Sequence, residues 1–283
     1  MTTHAPKAIL LYDGSRDDLR DRAKALRPII EAQLPIVGVE NDLEPPFEPQ
    51  DAEIAIAMGG DGTMLRSARL MARQQLPVVG VNLGKLGFLA GINPEQLDKA
   101  LPEIAGRRYR LVDHLMVECS LVRGDKAIET RLGLNEAAIL AGEPFSMIDI
   151  ELHVDGDPAA TYSSDGMLIS TPIGSTAHNL ATGGPILRKD LQALVLSAIN
   201  PHTLTVRPVV DSADRVYELH VPKPNPGSRL MVDGQVVGPL EPGDVVRVER
   251  SPAVFQLVEV AGQTYYKTLR EKLGWGSRPR DRK

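Results

Sequence analysis

The chain is poor in several residue types, and each shortage excludes something. It has a single cysteine, Cys119, so neither an intrachain disulfide nor a cysteine-based zinc cluster can form. Cys119 reads as a small buried apolar residue, and one thiol suits a reducing compartment. Aromatic residues make up 4% of the chain, so a core has to be built from Leu, Ile, Val and Ala. There is no basic excess: the net charge is −5, and the basic cluster Arg278, Arg280, Arg282 and Lys283 reads as a solvated tail. A general nucleic-acid binder is therefore not expected. No apolar run approaches the ~20 residues of a bilayer span, and MTTHAPKAIL lacks the parts of a signal peptide. A cytoplasmic protein without membrane contact is expected. Six histidines (His4, His114, His153, His178, His202 and His220) are scattered without H-E-x-x-H or Cys/His spacing, which argues against zinc. The serine-hydrolase elbow G-x-S-x-G is missing as well.

Apolar residues amount to 42%, with 25 glycines and 22 prolines in turns and loops, as in a folded protein. The length, 283 residues, fits one large domain or two ordinary ones. Up to residue 108 short apolar runs alternate with helical patterns, which predicts parallel β/α units. Strands are expected at 7–12, 35–39, 53–58 and 77–81. Helices are expected after Ser15, with Asp18 completing a capping box, and over 63–74. A third is expected from Asn93-Pro94 to Gly106. From residue 109 the period becomes two, as in Leu115, Val117, Cys119 and Leu121 and again over 148–155. Further strands are expected at 167–171, 204–206, 216–221, 230–232, 236–237, 245–248 and 255–260, with a hairpin at Asp233-Gly234. A helix over 265–273 ends at Gly274. The expected class is α/β plus β: a Rossmann-like domain (1–108), a β-rich domain (109–258), and a segment (259–283) returning to the first.

The strongest local signal is Gly59-Gly60-Asp61-Gly62-Thr63 between a strand and a helix. Glycines let the backbone approach an anion, and free N–H groups at a helix start favour negative charge. A carboxylate in such a loop repels phosphate. Asp61 either acts as a base on a hydroxyl, helps hold a metal, or merely caps the helix. Neither the P-loop pattern nor G-x-G-x-x-G is present, so a phosphate site would need another cradle. The loop from Gly84 through Gly87 is a candidate second wall. Asn135-Glu136 suits recognition of a base or ribose. Ser163-Ser164-Asp165-Gly166 has a turn composition. Residues 171–186, TPIGSTAHNLATGGPI, join hydroxyls, glycines and His178 in a segment that reads as a binding loop.

Taken in order, GGDGTMLR (59–66), NLGKLGFLA (82–90), NE (135–136), SDG (164–166), STPIGSTAHNLATGGPI (170–186), PHTLTVRP (201–208) and DGQ (233–235) resemble the NAD kinase family over nearly the whole chain. GGDGT alone is shared with diacylglycerol and sphingosine kinases and phosphofructokinases; the other motifs are more specific. The resemblance implies an ATP-dependent kinase acting on NAD at the 2′-hydroxyl of its adenosine ribose, with Mg²⁺ or another divalent cation. Asp61 is its implied catalytic residue, and Gly59, Gly60, Gly62, Thr63, Gly84 and Gly87 form the phosphate loops. Dinucleotide contacts are implied for Asp61, Gly62, Arg66, Asn135, Glu136, Ser146, Asp165, Thr176, Ala177, His178, Asn179, Leu180, Ala181 and Gln235. No residue is assigned to a metal. Family members are usually homodimers or homotetramers whose sites are completed across subunits. His178 stands where the family often has tyrosine, and Ser163 where some bacterial members have arginine. A lipid kinase and a non-catalytic NAD sensor are the alternative readings.

Overall fold

A computed structural model describes residues 4–84, 87–261, 265–274 and 276. The chain divides into two compact units, one up to Asp113 and again from Phe255 onward, the other His114–Val254.

The first unit is built on strands β1 (Ala8–Tyr12), β2 (Ile36–Glu40), β3 (Ile54–Gly59) and β4 (Val78–Asn82), with helices α1 (Asp17–Glu31), α2 (Asp61–Met71) and α3 (Leu97–Ala105). The strands pair in parallel in the order β2-β1-β3-β4. Strands β1, β3 and β4 are buried throughout, as expected of a parallel sheet covered on both faces. Leu19, Ala23 and Ile30 of α1 and Leu97, Leu101 and Ile104 of α3 share a core with Leu10, Ile56 and Val79. Gly80 points the other way, since side chains alternate along a strand, and Met64 of α2 lies against it. The loops at the carboxyl ends of β3 and β4 carry the two glycine segments, which is where open α/β sheets bind ligands.

The second unit is antiparallel. It contains β5 (Arg110–Arg123, which begins in the first unit), β6 (Lys126–Gly133), β7 (Glu136–Leu140), β8 (Ile148–Val154), β9 (Asp157–Ser164) and β10 (Gly166–Ser170). Then come α4 (His178–Ala181), β11 (Ala193–Ile199), β12 (Val209–Ser212), β13 (Tyr217–His220), β14 (Arg229–Val232) and β15 (Gln235–Pro239). Finally β16 (Val245–Glu259) returns the chain to the first unit, which ends with α5 (Tyr265–Leu273). One sheet runs β12-β11-β10-β7-β14-β15. Its inner residues, such as Ile139, Met167 and Leu196, share one core with Val117, Ile150, Leu219 and Val246 from β5, β8, β13 and β16. That is the arrangement of two sheets packed face to face.

The α/β plus β class agrees with the sequence, but several elements do not. Ser15 caps nothing: its N–H and hydroxyl both donate to Asp13, and Arg16 stands at the N-cap of α1. Helix α2 begins two residues early, at Asp61, and stops at Met71. Residues 204–206 form no strand. Leu204 is 89% exposed, and the sheet edge on β11 is occupied by β12 instead. The expected strands include none of β7, β9, β11 and β12; β9 is mostly exposed and lacks an apolar alternation. Residues 163–166 are not a free turn: Ser163 and Ser164 end β9 and Gly166 opens β10. The two strands expected at 245–248 and 255–260 are one, β16. The Asn93 cap is formed, with Gln96 completing the capping box.

Candidate active site

In the first unit the glycine loops are drawn together at the ends of β3 and β4. Parallel pairing sets Gly59 opposite Asn82, and Leu83 N–H donates to the Gly59 carbonyl at 3.0 Å. Asp61 closes the arrangement. It is the first residue of α2 but makes no cap to its own helix. Its carboxylate instead reaches across: Oδ2 accepts Phe88 N–H (2.8 Å), and Oδ1 accepts Leu89 N–H (3.0 Å) and Ala90 N–H (3.4 Å). The Lys272 ammonium of α5 is the fourth donor, 3.4 Å from Oδ2. The capping reading of Asp61 is thereby overturned.

The glycines separate into two groups. A Cβ on Gly59 would meet Thr63 Oγ1 at 2.0 Å, and one on Gly87 would meet Asp61 Oδ1 at 2.1 Å. Those two are required by the protein's own packing. A Cβ on Gly60 or Gly62 meets no atom of the described residues within 4 Å, so packing among those residues does not explain them. They leave bare backbone at a helix start, where the first N–H groups have no intrahelical acceptor. That is what an anionic ligand needs. Gly84 N–H donates to Asn82 Oδ1 at 2.9 Å, which shapes the start of the second loop.

Arg66 is engaged with the protein itself. Its guanidinium pairs with Asp13, donates to the Asp42 carbonyl at 2.7 Å, and lies 3.5 Å from Glu44. The Asp13 carboxyl is held below its ordinary range by Ser15 donation first and by Arg66 as a further cause.

In the second unit a matching carboxylate organises the turn before β7. Asp233, at the β14–β15 hairpin with φ +47°, accepts N–H from Leu134 (2.8 Å), Asn135 (2.7 Å) and Glu136 (3.1 Å). Glu136 sits beside it, 7% exposed, with Oε2 lacking a hydrogen-bond partner among the described residues. Burial first, and the Asp233 charge second, push the Glu136 carboxyl up to about 8. A buried acid that retains its proton near neutrality can donate as well as accept. Gln235 lies at this same end, since Val232 pairs with both Gln235 and Ala137.

The hydroxyl-rich segment behaves differently from its sequence reading. Thr171 Oγ1 donates to Leu134 O, Ser175 Oγ to Pro172 O, Thr176 Oγ1 to Ile173 O and Thr182 Oγ1 to Asn179 O. These hydroxyls build the segment instead of facing outward. Asn179 is fully buried; its amide donates to Ser175 O and Pro185 O and accepts from Ser197 Oγ. A side-chain contact from Asn179 to a ligand is therefore not available. His178 and Ala181 are exposed, while Thr176, Ala177 and Leu180 are half-buried. A Cβ on Gly174 would meet the Asn135 carbonyl oxygen at 2.0 Å, so this turn packs directly on the 134–136 turn.

Asp165 lies elsewhere. Ser170 pairs with Glu136 and Gly166 with Leu140, so Asp165 stands beyond the opposite end of β10, roughly 15 Å along the strand from Glu136. There it accepts from the Asn200 amide at 3.0 Å. Ser146 follows β7 at that end and exchanges hydrogen bonds with Asn225. The structure thus brings Asn135, Glu136 and Gln235 together and places Ser146 and Asp165 apart from them.

Family models match along most of the chain: the ATP-NAD kinase N-terminal domain over residues 21–109 and the ATP-NAD kinase C-terminal domain over 134–260. An NAD kinase from Rhodopirellula baltica is 45% identical over 273 residues, covering 96% of this chain and 88% of that protein. The chain belongs to the ATP-NAD kinase family. An NAD kinase from Geotalea daltonii is 37% identical, covering 90% of each protein. Among solved structures, an NAD kinase from Archaeoglobus fulgidus in complex with ATP is similar with a TM-score of 0.74 and 27% identity, covering 95% of this chain and 97% of that one. Yeast NADH kinase complexed with NADH superposes with a TM-score of 0.87 over 100% of this chain and 91% of that chain. At 21% identity that likeness shows the shared fold.

Sequence reasoning missed Asp233 and Lys272 as site-building residues. Asp-Gly signals only a hairpin, and nothing local to Lys272 points to a partner 211 positions away.

Two outcomes follow. Gly62 lies in α2 without a positive φ, so Gly62→Ala should leave stability unchanged or raise it by up to ~1 kcal/mol. Turnover should nonetheless fall roughly 10–100-fold through lost close approach; thermal melts and a kinase assay on one preparation check this. For Glu136, the folded state favours the protonated form. Ionisation costs nothing below the unfolded value of 4.5, and the penalty grows until pH passes about 8. Glu136→Gln should therefore gain stability over the parent as pH rises through that window, by on the order of 1.4 kcal/mol per pKa unit. A gap that stays constant in melts from acid to alkaline pH would contradict the assignment.

Proposed function

We propose that this protein transfers the γ-phosphoryl group of ATP to the 2′-hydroxyl of the adenosine ribose of NAD, giving NADP and ADP. The observation that carries the reading is the loop itself: Gly60 and Gly62, whose Cβ positions no described atom approaches within 4 Å, flank a carboxylate that is half-buried at a helix start. Glycine N–H groups suit the phosphates, and Asp61 suits the proton of the attacking hydroxyl. Phosphoryl transfer depends mainly on positioning and electrostatics, so a short loop and one carboxylate can suffice. Family membership and the likeness to an NAD kinase in complex with ATP support ATP as donor.

Among the described residues no three His, Cys, Asp or Glu side chains converge as a metal ligand set would. A divalent cation fits here as part of the nucleotide substrate, since Mg²⁺ is ordinarily held by phosphate oxygens with one or two carboxylates. When bound it offsets charge on the phosphates. No residue is assigned to it.

Recognition of NAD falls to the second unit. Asn135 and Glu136 would bind ribose and base through amide and carboxyl groups, with Gln235 at the same end. His178 would offer a flat ring to a base, with Thr176, Ala177, Leu180 and Ala181 lining the dinucleotide. Asn179 would act indirectly, by fixing that segment. Asp165 and Ser146 are separated from Glu136 by the length of β10, which supports sites completed by a second copy in a homodimer or homotetramer. Cytoplasmic location is part of the same reading: among the described residues no helix is long and apolar enough to cross a membrane.

The test is incubation with NAD, ATP and Mg²⁺ while NADP is measured, beside a panel of lipid acceptors. NADP should form. Phosphorylation of diacylglycerol or sphingosine without NADP would overturn the reading. Asp61→Asn should retain NAD binding and lose roughly 10²–10⁴-fold in turnover. It should also lose some stability, because an amide NH₂ would face a backbone N–H of the 88–90 turn. For the shared site, mixing inactive Glu136→Ala and Asp165→Ala proteins should restore activity to about a quarter of the parent in a dimer. No recovery would place each site within one copy.

A further inference from the structure

The contact of Lys272 with Asp61 has a consequence for catalysis. An ionised carboxylate offers about four acceptor positions. At Asp61 four donors are already present: Phe88 and Lys272 on Oδ2, Leu89 and Ala90 on Oδ1. A substrate hydroxyl that gives its proton to this carboxylate must take one of those places. The three backbone donors belong to one turn and stay together. Lys272 is the donor that can leave. Its ammonium is a point charge on a flexible stem, 3.4 Å from Oδ2, and its side chain is 30% exposed. It also lies over the Phe88 ring, 4.2 Å from the centroid, a contact that holds a cation in place without fixing its hydrogen bonds.

We infer that Lys272 is a second catalytic residue, whose ammonium occupies the hydroxyl position on Asp61 before substrates bind and moves to a γ-phosphate oxygen of the nucleoside triphosphate when they do. This rests on Asp61 as the proton acceptor. In the step, the acceptor O–H bond breaks and its proton goes to Asp61 Oδ2. The oxygen forms a bond to the γ-phosphorus, and the bond to the bridging oxygen breaks with its electron pair leaving on ADP. Lys272 keeps all three ammonium hydrogens and contributes charge alone. Helix α5 thereby acquires a reason for its position: it delivers a cation to a loop whose phosphates would otherwise face the Asp61 carboxylate unbalanced. The arrangement also pairs the Asp61 charge with a cation of the same unit.

The experiment compares the parent, Lys272→Met, Lys272→Arg, Asp61→Asn and the Asp61→Asn/Lys272→Met double variant in the full chain. Steady-state kinetics are combined with ATP affinity measured in the presence of NAD and Mg²⁺. Lys272→Met should lower kcat/KM for ATP roughly 10–100-fold while changing the KM for NAD less than about threefold, and Lys272→Arg should recover part of the loss. The double variant should bind ATP more weakly than Asp61→Asn alone, because the lysine acts on the phosphate and not only through Asp61. ATP kinetics and affinity unchanged in Lys272→Met would overturn the inference, as would a loss of ATP affinity that disappears in the Asp61→Asn background. If Lys272→Met does not fold, an unaltered ATP affinity in Lys272→Gln overturns it equally. Normal turnover by Asp61→Asn would instead remove the Asp61 reading, and the ATP-affinity comparison would still judge Lys272.

Discussion

The chemistry of the first unit depends on one carboxylate holding three consecutive backbone amides. Asp61 takes the N–H groups of Phe88, Leu89 and Ala90 and so ties the loop after β4 to the loop after β3. Charge-assisted bonds of this kind are about twice as strong as neutral ones. They also fix direction, because each carboxylate oxygen is aimed by its donors. Gly87 is required for this: any side chain there would fall on Asp61. Gly60 and Gly62 are then left as bare backbone on either side of an oriented carboxylate.

The second unit repeats the device with a different purpose. Asp233 accepts the amides of Leu134, Asn135 and Glu136 and fixes the entry to β7. Its negative charge, added to burial, raises the neighbouring Glu136 carboxyl to about 8. Asp233 collects three backbone donors, and Glu136 keeps its proton because it is buried beside that carboxylate. A group poised this way is a mark of functional sites. It leaves Glu136 able to meet either a hydroxyl donor or an acceptor on a ligand. The segment 171–186 supports this turn, Thr171 through the Leu134 carbonyl and Gly174 by close packing on Asn135.

Much of this was legible in the residues. Apolar runs ending in glycines announced β3 and β4, Asn93-Pro94 announced a helix start, and Asp233-Gly234 a hairpin. The period-two pattern separated the β-rich unit from the α/β one. What was illegible depends on distance in sequence. Asp61 meets partners 27–29 positions away and Asp233 partners 97–99 away, and no local pattern encodes either. The backbone partners of the 171–186 hydroxyls were illegible for a related reason: short polar side chains bond to neighbouring backbone as readily as to a ligand. Strand β9 was hidden because exposed edge residues carry no apolar alternation. Nothing near Arg66 in sequence points to its partners, Asp13 and the Asp42 carbonyl.

The central claim is that Asp61 keeps its three amides while accepting the hydroxyl proton. The most direct test is a crystal structure of the protein with NAD and a non-hydrolysable ATP analogue. The account predicts the NAD 2′-oxygen within hydrogen-bond reach of Asp61 Oδ2, roughly 2.6–3.2 Å, with the Phe88, Leu89 and Ala90 amides still on the carboxylate. A 2′-oxygen well beyond that reach, with Asp61 still fully occupied by the protein, would contradict it and leave Asp61 a purely structural clamp.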